Sequence, residues 1–253
     1  LCELARYKVK IIFCDHQRNP YSEIIPYYGA HNASKQMRRQ SQWPQTNKDK
    51  IWQRIVAQKI IKQAQVVYRE TSNQTSCETL MNFAASVLSG DTTNREAHAA
   101  KFYFKELFGP QFSRDSSSDI NAALNYGYAI LLSAFNREIT AAGYSTTMGV
   151  NHCNEYNPFN LTCDLMEPFR PVVIDRFVLK LLNRGQFRPE DFEGNEKDGF
   201  HLKAQARRHW IEVYEEYMQR PCQEYEGRSP REQLIADIRA FAAEIFRNAR
   251  SVV

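Results

Sequence analysis

No run of about 18 apolar residues occurs in the chain, so no membrane-spanning helix is expected. No charged-then-apolar leader opens it, so no secretion signal is expected either. Glycine and proline are sparse, at ten residues each in 253. The sequence has no Gly-rich phosphate loop, no G-x-G-x-x-G fingerprint and no G-x-S-x-G elbow, which removes the usual sequence support for nucleotide-fold and α/β-hydrolase chemistry. The six cysteines, Cys2, Cys14, Cys77, Cys153, Cys163 and Cys222, form neither a C-x-x-C pair nor a zinc-ligand spacing. Reduced thiols in a cytoplasmic protein are therefore expected. Cys153 beside His152 is a poor nucleophile pair, because adjacent side chains diverge. The excess of positive charge is small, 33 Lys and Arg against 29 Asp and Glu, a net +4. It permits nucleic-acid binding without requiring it.

A hydrophobic content of 43% is enough for a substantial core and argues against a disordered chain. Residues 8–14, an apolar β-branched run, read as one strand. A lone strand is not stable, so its partners are expected upstream of residue 1 or in another chain. From residue 31 onward the pattern is helical. Residues 48–69 place Trp52, Val56, Ile60, Ala64 and Val67 on one stripe. Lys50, Arg54, Gln58, Lys62 and Arg69 fall on another face, which is either a solvated surface or a stripe that tracks phosphates. A helix over 94–108 ends at Gly109-Pro110. Its apolar side carries Tyr103, Phe104 and Leu107, and Glu96 points to that same side. A helix over 121–142 is apolar nearly all round and reads as central, with Gly127 allowing close approach of a neighbour. Residues 149–171 begin as a loop, and Pro168 and Pro171 mark a helix start or kink before a helix running to Asn183. Further helices are expected over 201–220 and 230–250, with a polar loop over 187–200. The fold class is mainly α, a helical bundle.

Glu96, His152 and Glu167, with Asp164 close by, form the candidate constellation. Asp164 and Glu167 are three apart and share one face of a helical turn. Carboxylate oxygens suit Mg²⁺ or Mn²⁺, and one imidazole favours Mn²⁺. Such a cation polarises a phosphodiester and stabilises an attacking or leaving oxygen. The same residues could instead be satisfied core groups of a non-catalytic helical nucleic-acid-binding module. If they do form a site, the three should converge, and without a cation one of Glu96, Asp164 and Glu167 should have a raised pKa.

Several segments together resemble a known family: Asn94-Arg-Glu-Ala-His-Ala-Ala100, Leu124-Asn-Tyr-Gly-Tyr128, the Gly149 to His152 loop, and Asp164-Leu-Met-Glu-Pro-Phe-Arg-Pro171. Ile12-Phe-Cys-Asp15, Pro26-Tyr-Tyr-Gly-Ala-His31 and Leu182-Asn-Arg-Gly-Gln-Phe-Arg-Pro-Glu-Asp-Phe192 add to the match. The chain resembles the CRISPR-associated endonuclease and integrase family Cas1, most closely members from type II systems. The resemblance implies a Mg²⁺ or Mn²⁺ site on Glu96, His152 and Glu167, with Asp164 as an accessory residue. It implies spacer acquisition, the insertion of short double-stranded DNA fragments at CRISPR repeat DNA. It also implies a homodimer that engages the small partner Cas2. The family's N-terminal domain is largely β. Residues 1–25 are expected to be a remnant of it with a linker, and 26–253 the helical catalytic domain. Leu1 in place of Met suggests a fragment or processed product, folded but impaired in assembly. Lys50, Arg54 and Lys62 are the expected DNA-backbone contacts.

Overall fold

The structure is a computed structural model that describes residues 1–7, 11–14, 20–24, 32–186, 188–195, 199–220 and 225–250. Residues 8–10 of the expected strand, Asp15, the 26–31 stretch, Phe187 and Cys222 lie outside the described residues. The helices are α1 (Cys2–Arg6), α2 (Ala33–Gln40), α3 (Gln45–Thr71), α4 (Gln74–Ala85), α5 (Arg95–Phe108), α6 (Asp119–Ala141), α7 (Asn160–Met166), α8 (Arg176–Asn183), α9 (Ala204–Gln219) and α10 (Pro230–Arg250). Among the described residues no helix is long and apolar enough to cross a membrane.

The long α3 forms the spine. It starts after Pro44 and stops at Ser72, whose φ of 56° breaks the helix while its N–H still donates to the Tyr68 carbonyl at 2.9 Å. Its stripe of Trp52, Val56, Ile60, Ala64 and Val67 is buried against α4 and α5. α4 has no counterpart in the sequence reading. Its start rests on Asn73, whose side chain caps the Ser76 N–H at 3.1 Å. α6 buries Leu124, Tyr128, Leu131, Phe135 and Ile139, as its pattern predicts. Gly127 lies where an added Cβ would sit 2.5 Å from Ile174 Cγ2 and 3.0 Å from Trp210 Cζ2. The close approach expected at this glycine is therefore real.

Two expectations are corrected. The strand has a partner inside this chain. β1 (Ile11–Cys14) pairs antiparallel with β2 (Pro20–Ile24), with Ile11 opposite Ile24. The β2 sequence Pro-Tyr-Ser-Glu-Ile does not read as a strand, but proline is tolerated at the first position of an edge strand. The polar stretch 187–200, read as a loop, contains a second hairpin of β3 (Phe192–Asn195) and β4 (Gly199–Leu202). Phe192 and Leu202 are buried and anchor it. Gly194 and Gly199 have φ of 113° and 85°, and a Cβ on Gly194 would collide with the Gly199 carbonyl oxygen, so the close pairing of the two strands needs glycine there. The last helical turns also differ from a simple kink. Glu167–Phe169 is a 3-10 turn and Arg170–Asp175 is π-helical, so Pro168 and Pro171 sit in a widened segment leading into α8.

Candidate metal centre

Three segments meet on the buried face of α3. Glu96 lies in the first turn of α5, held by Asp91, whose carboxylate accepts from the Arg95 N–H at 2.8 Å and the Glu96 N–H at 3.0 Å. Glu167 lies where α7 passes into the 3-10 turn and is buried. Between them stands Lys59. Its Nζ lies 2.6 Å from Glu96 Oε1 and 2.6 Å from Glu167 Oε2. Arg170 Nη2 reaches the other Glu167 oxygen at 3.1 Å. Burial alone would push the Glu167 carboxyl up, but Arg170 and Lys59 hold it below the usual range. Burial alone would likewise lower Lys59, and Glu167 and Glu96 outweigh it, so Lys59 is raised. The expected raised carboxylate is thus not found at Glu167, because resident cations oppose the effect of desolvation.

His152 is placed by Asp164, which is fully buried in α7. Asp164 Oδ2 accepts the N–H groups of Val150 at 2.5 Å and Asn151 at 3.0 Å. Its Oδ1 takes the His152 N–H at 3.1 Å and lies 2.6 Å from His152 Nδ1. With Nδ1 bonded to the carboxylate, Nε2 is the ring nitrogen left for a ligand. The Asp164 hydrogen bond raises the imidazole pKa against half-burial, and the charges of Glu167 and Glu96 add to the rise. Trp52 packs edge-on to the ring at 5.9 Å. Gly149 is required in this loop, since a Cβ there would meet the His152 carbonyl and lie 2.8 Å from Asp164 Oδ2. A cavity of about 750 Å³ opens beside His152, lined also by Lys48, Asn154, Tyr156 and Asn157.

The structure therefore brings Glu96 and Glu167 together through Lys59, and His152 together with Asp164. Among the described residues no group of three His, Cys, Asp or Glu side chains forms a metal cage. The Lys59 ammonium supplies the charge between the two carboxylates. Of the expected DNA contacts, Lys50 is exposed. Arg54 pairs with Glu244 of α10. Lys62 sits 4.1 Å above the Phe169 ring, and burial lowers its pKa.

The sequence reading missed Lys59, Arg170 and Asp175. Lys59 had a visible signal, since it falls on the apolar stripe of α3, three residues after Val56. Arg170 lies within the resembling segment Asp164 to Pro171, three residues after Glu167. Asp175 is buried and accepts from Tyr103 at 3.0 Å and Tyr128 at 2.5 Å. Burial pushes its carboxyl up to about 6, against the pull of the two tyrosine hydroxyls.

The family described as CRISPR associated protein Cas1 matches residues 1–216. The chain belongs to the Cas1 family. A CRISPR-associated endonuclease Cas1 from Neisseria meningitidis serogroup C (strain 8013) is 40% identical over 190 residues, covering 75% of this chain and 62% of the relative. One from Thermus thermophilus is 34% identical over 129 residues, covering 48% of this chain and 41% of the relative. The chain thus spans less than two thirds of the length of these relatives. In fold it is similar to a Cas1 protein from Thermotoga maritima, with a TM-score of 0.76 at 16% identity, over 98% of this chain and 80% of that one. It is also similar to a casposase bound to integration product, with a TM-score of 0.71 at 19% identity, over 98% and 79% of the two chains. These likenesses establish the mainly helical Cas1 fold.

Proposed function

We propose that the chain carries the catalytic centre of a metal-dependent DNA endonuclease and integrase that inserts short DNA fragments into a CRISPR array. The observation that carries this reading is the meeting of Glu96 and Glu167, from distant segments, on one buried positive charge beside an imidazole oriented by Asp164. Carboxylates held this close repel unless a cation stands between them. By residue type Glu96, Glu167 and His152 suit Mg²⁺ or Mn²⁺, and an ion would take the place of the Lys59 ammonium. Two carboxylates and one imidazole nitrogen make a suitable donor set, and in this structure the Lys59 ammonium occupies the cation position between the two carboxylates.

Glu96, His152 and Glu167 would hold the ion, which supplies charge stabilisation at the reacting phosphate. Asp164 fixes the ring so that Nε2 faces the ligand. Arg170 and Lys59 keep Glu167 ionised. In the transfer, a 3′-hydroxyl gives up its proton as its oxygen bonds to phosphorus, the target P–O3′ bond breaks, and the leaving 3′-oxygen takes up a proton, so that no net proton is released. Double-stranded DNA and CRISPR repeat DNA are the proposed substrates. The casposase bound to integration product and the solved Cas6-RT-Cas1–Cas2 complex, with a TM-score of 0.76 at 20% identity over 99% of this chain and 30% of that one, support DNA and a Cas2-type partner. A homodimer, a cytoplasmic location, and a division between a β-domain remnant over 1–25 and a catalytic unit over 26–253 complete the proposal.

The test is DNA cleavage and strand transfer with and without Mn²⁺, using Glu96→Ala, His152→Ala and Glu167→Ala as controls. Activity that requires Mn²⁺ and is lost in each variant supports the reading. Mn²⁺ binding no stronger than in Glu96→Ala would support a non-catalytic nucleic-acid-binding module instead.

A further inference from the structure

Asp175 is a buried carboxylate for which the metal centre described above has no task. It is 1% exposed, and two tyrosine hydroxyls donate to it, Tyr103 to Oδ2 at 3.0 Å and Tyr128 to Oδ1 at 2.5 Å. Packing alone does not call for such a group, because an apolar side chain of similar size fills a core without the desolvation cost. The two tyrosines differ in what else they touch. Tyr103 is fully buried on α5, and its ring meets Phe104 edge-on at 5.0 Å. Tyr128 on α6 carries the Arg170 guanidinium over its ring, with Cζ 4.7 Å from the ring centre.

Arg170 in turn reaches Glu167 Oε1 with Nη2 at 3.1 Å. Its Nε is buried and has no hydrogen-bond acceptor among the described residues. The Glu167 carboxylate and the Tyr128 ring are therefore the contacts that locate this guanidinium. The π-helical segment makes the arrangement possible. Arg170 and Asp175 open and close it. Residues five apart on an α-helix point about 140° away from each other, at about 100° per residue. The wider turn, in which the Arg176 N–H donates to the Pro171 carbonyl, brings them round to one side. Arg170 thus meets the ring of Tyr128 while Asp175 meets its hydroxyl.

We propose that Asp175 is a positioning residue of the metal centre, acting on Glu167 through the Tyr128 ring and the Arg170 guanidinium. The proposal rests on the metal-centre reading above and adds to it residues outside the donor set. By holding the Tyr128 hydroxyl, Asp175 fixes the plane of the ring. The ring seats the guanidinium, and the guanidinium holds Glu167 Oε1 so that Oε2 turns to the cation position shared with Glu96. Groups that orient a ligand in this way raise metal affinity without touching the metal. Tyr103 shares the carboxylate without carrying the guanidinium, so it belongs to the same hydrogen-bonded core but stands outside this line of contacts.

The test is Mn²⁺ binding by titration calorimetry to the wild-type protein, Tyr128→Phe and Tyr103→Phe, with melting curves to establish that each is folded. The two variants each remove one hydroxyl from the same carboxylate, so they form a matched pair. The expected result is a Mn²⁺ affinity about tenfold lower in Tyr128→Phe, the low end for loss of an outer partner of a metal ligand, and unchanged in Tyr103→Phe. In an Arg170→Gln background, Tyr128→Phe should cause no further change. Whatever the loss of the arginine charge does by itself is common to both arms of that cycle. Asp175→Asn, which keeps the shape of the side chain, is the second variant should Tyr128→Phe not fold. It should lower the affinity when Arg170 is present and leave it unchanged in Arg170→Gln. Equal effects of Tyr128→Phe and Tyr103→Phe, or an effect that persists without Arg170, reduce the cluster to core packing and overturn the proposal. Wild-type affinity in Tyr128→Phe and Asp175→Asn overturns it too, and all of these results leave the metal-centre reading intact. A wild-type protein that binds no Mn²⁺ overturns both.

Discussion

Lys59 is the residue on which the candidate centre turns. An ammonium buried in an apolar stripe is costly unless it is paired, and here it is paired twice, with Glu96 and Glu167. Replacing it by methionine keeps the length of the side chain and leaves two carboxylates facing each other. The metal-free Lys59→Met protein should lose about 3–5 kcal/mol, as when one partner of a buried pair is removed. Mn²⁺ should then raise its melting temperature more than that of the wild type. Identical melting with a chelator present would show that Lys59 is not the counter-ion. Asp175 makes a pH prediction. Its carboxyl is raised from 3.8 to about 6, burial being the largest cause. The folded state therefore holds this proton more tightly than the unfolded chain does. The stability it contributes is complete below about pH 4 and is lost as pH rises through about 6. Asp175→Asn has no such proton to lose, so relative to the wild type it should gain about 2 kcal/mol between pH 4 and pH 7. Urea unfolding at the two pH values measures this, and a constant difference between the proteins would contradict it.

At the scale of elements, the site is assembled where α5 begins and where α7 gives way to the 3-10 and π-helical turns. The π-helical segment Arg170–Asp175 turns Ile174 toward Gly127 of α6 and presents Asp175 to Tyr103 and Tyr128. Gly127→Ala would force its Cβ against Ile174 and Trp210 and should cost about 1–3 kcal/mol by overpacking. Denaturant unfolding checks this, with no change expected if α6 and α9 can simply spread apart. Helices with a clear 3.6-residue stripe, such as α3 and α6, were legible in the sequence because burial itself selects that period. The second hairpin was not, because Phe192 and Leu202 are its main buried anchors and polar residues fill the interval. β2 was hidden for a similar reason, its proline and polar residues giving no alternating pattern.

At the scale of the molecule, α10 changes the meaning of the basic stripe on α3. Lys50, Arg54 and Lys62 share a face in the sequence pattern, and three free phosphate contacts would make the salt slope shallower by nearly three. With Arg54 tied to Glu244 and Lys62 seated over Phe169, the triple alanine variant should make it shallower by about one, with equal weakening on all DNA sequences. An unchanged slope would make the stripe a solvated surface. The sequence alone determined the helical class, the stripes of α3, α5 and α6, and the family to which Glu96, Asp164, His152 and Glu167 belong by position. These follow from local periodicity and from motifs read along the chain. Only the tertiary structure decided that Lys59 stands between Glu96 and Glu167, and that Tyr103 of α5 and Tyr128 of α6 share the Asp175 carboxylate. Those pairings join segments far apart in the chain, and a buried charge finds its partner through packing, which no local pattern encodes.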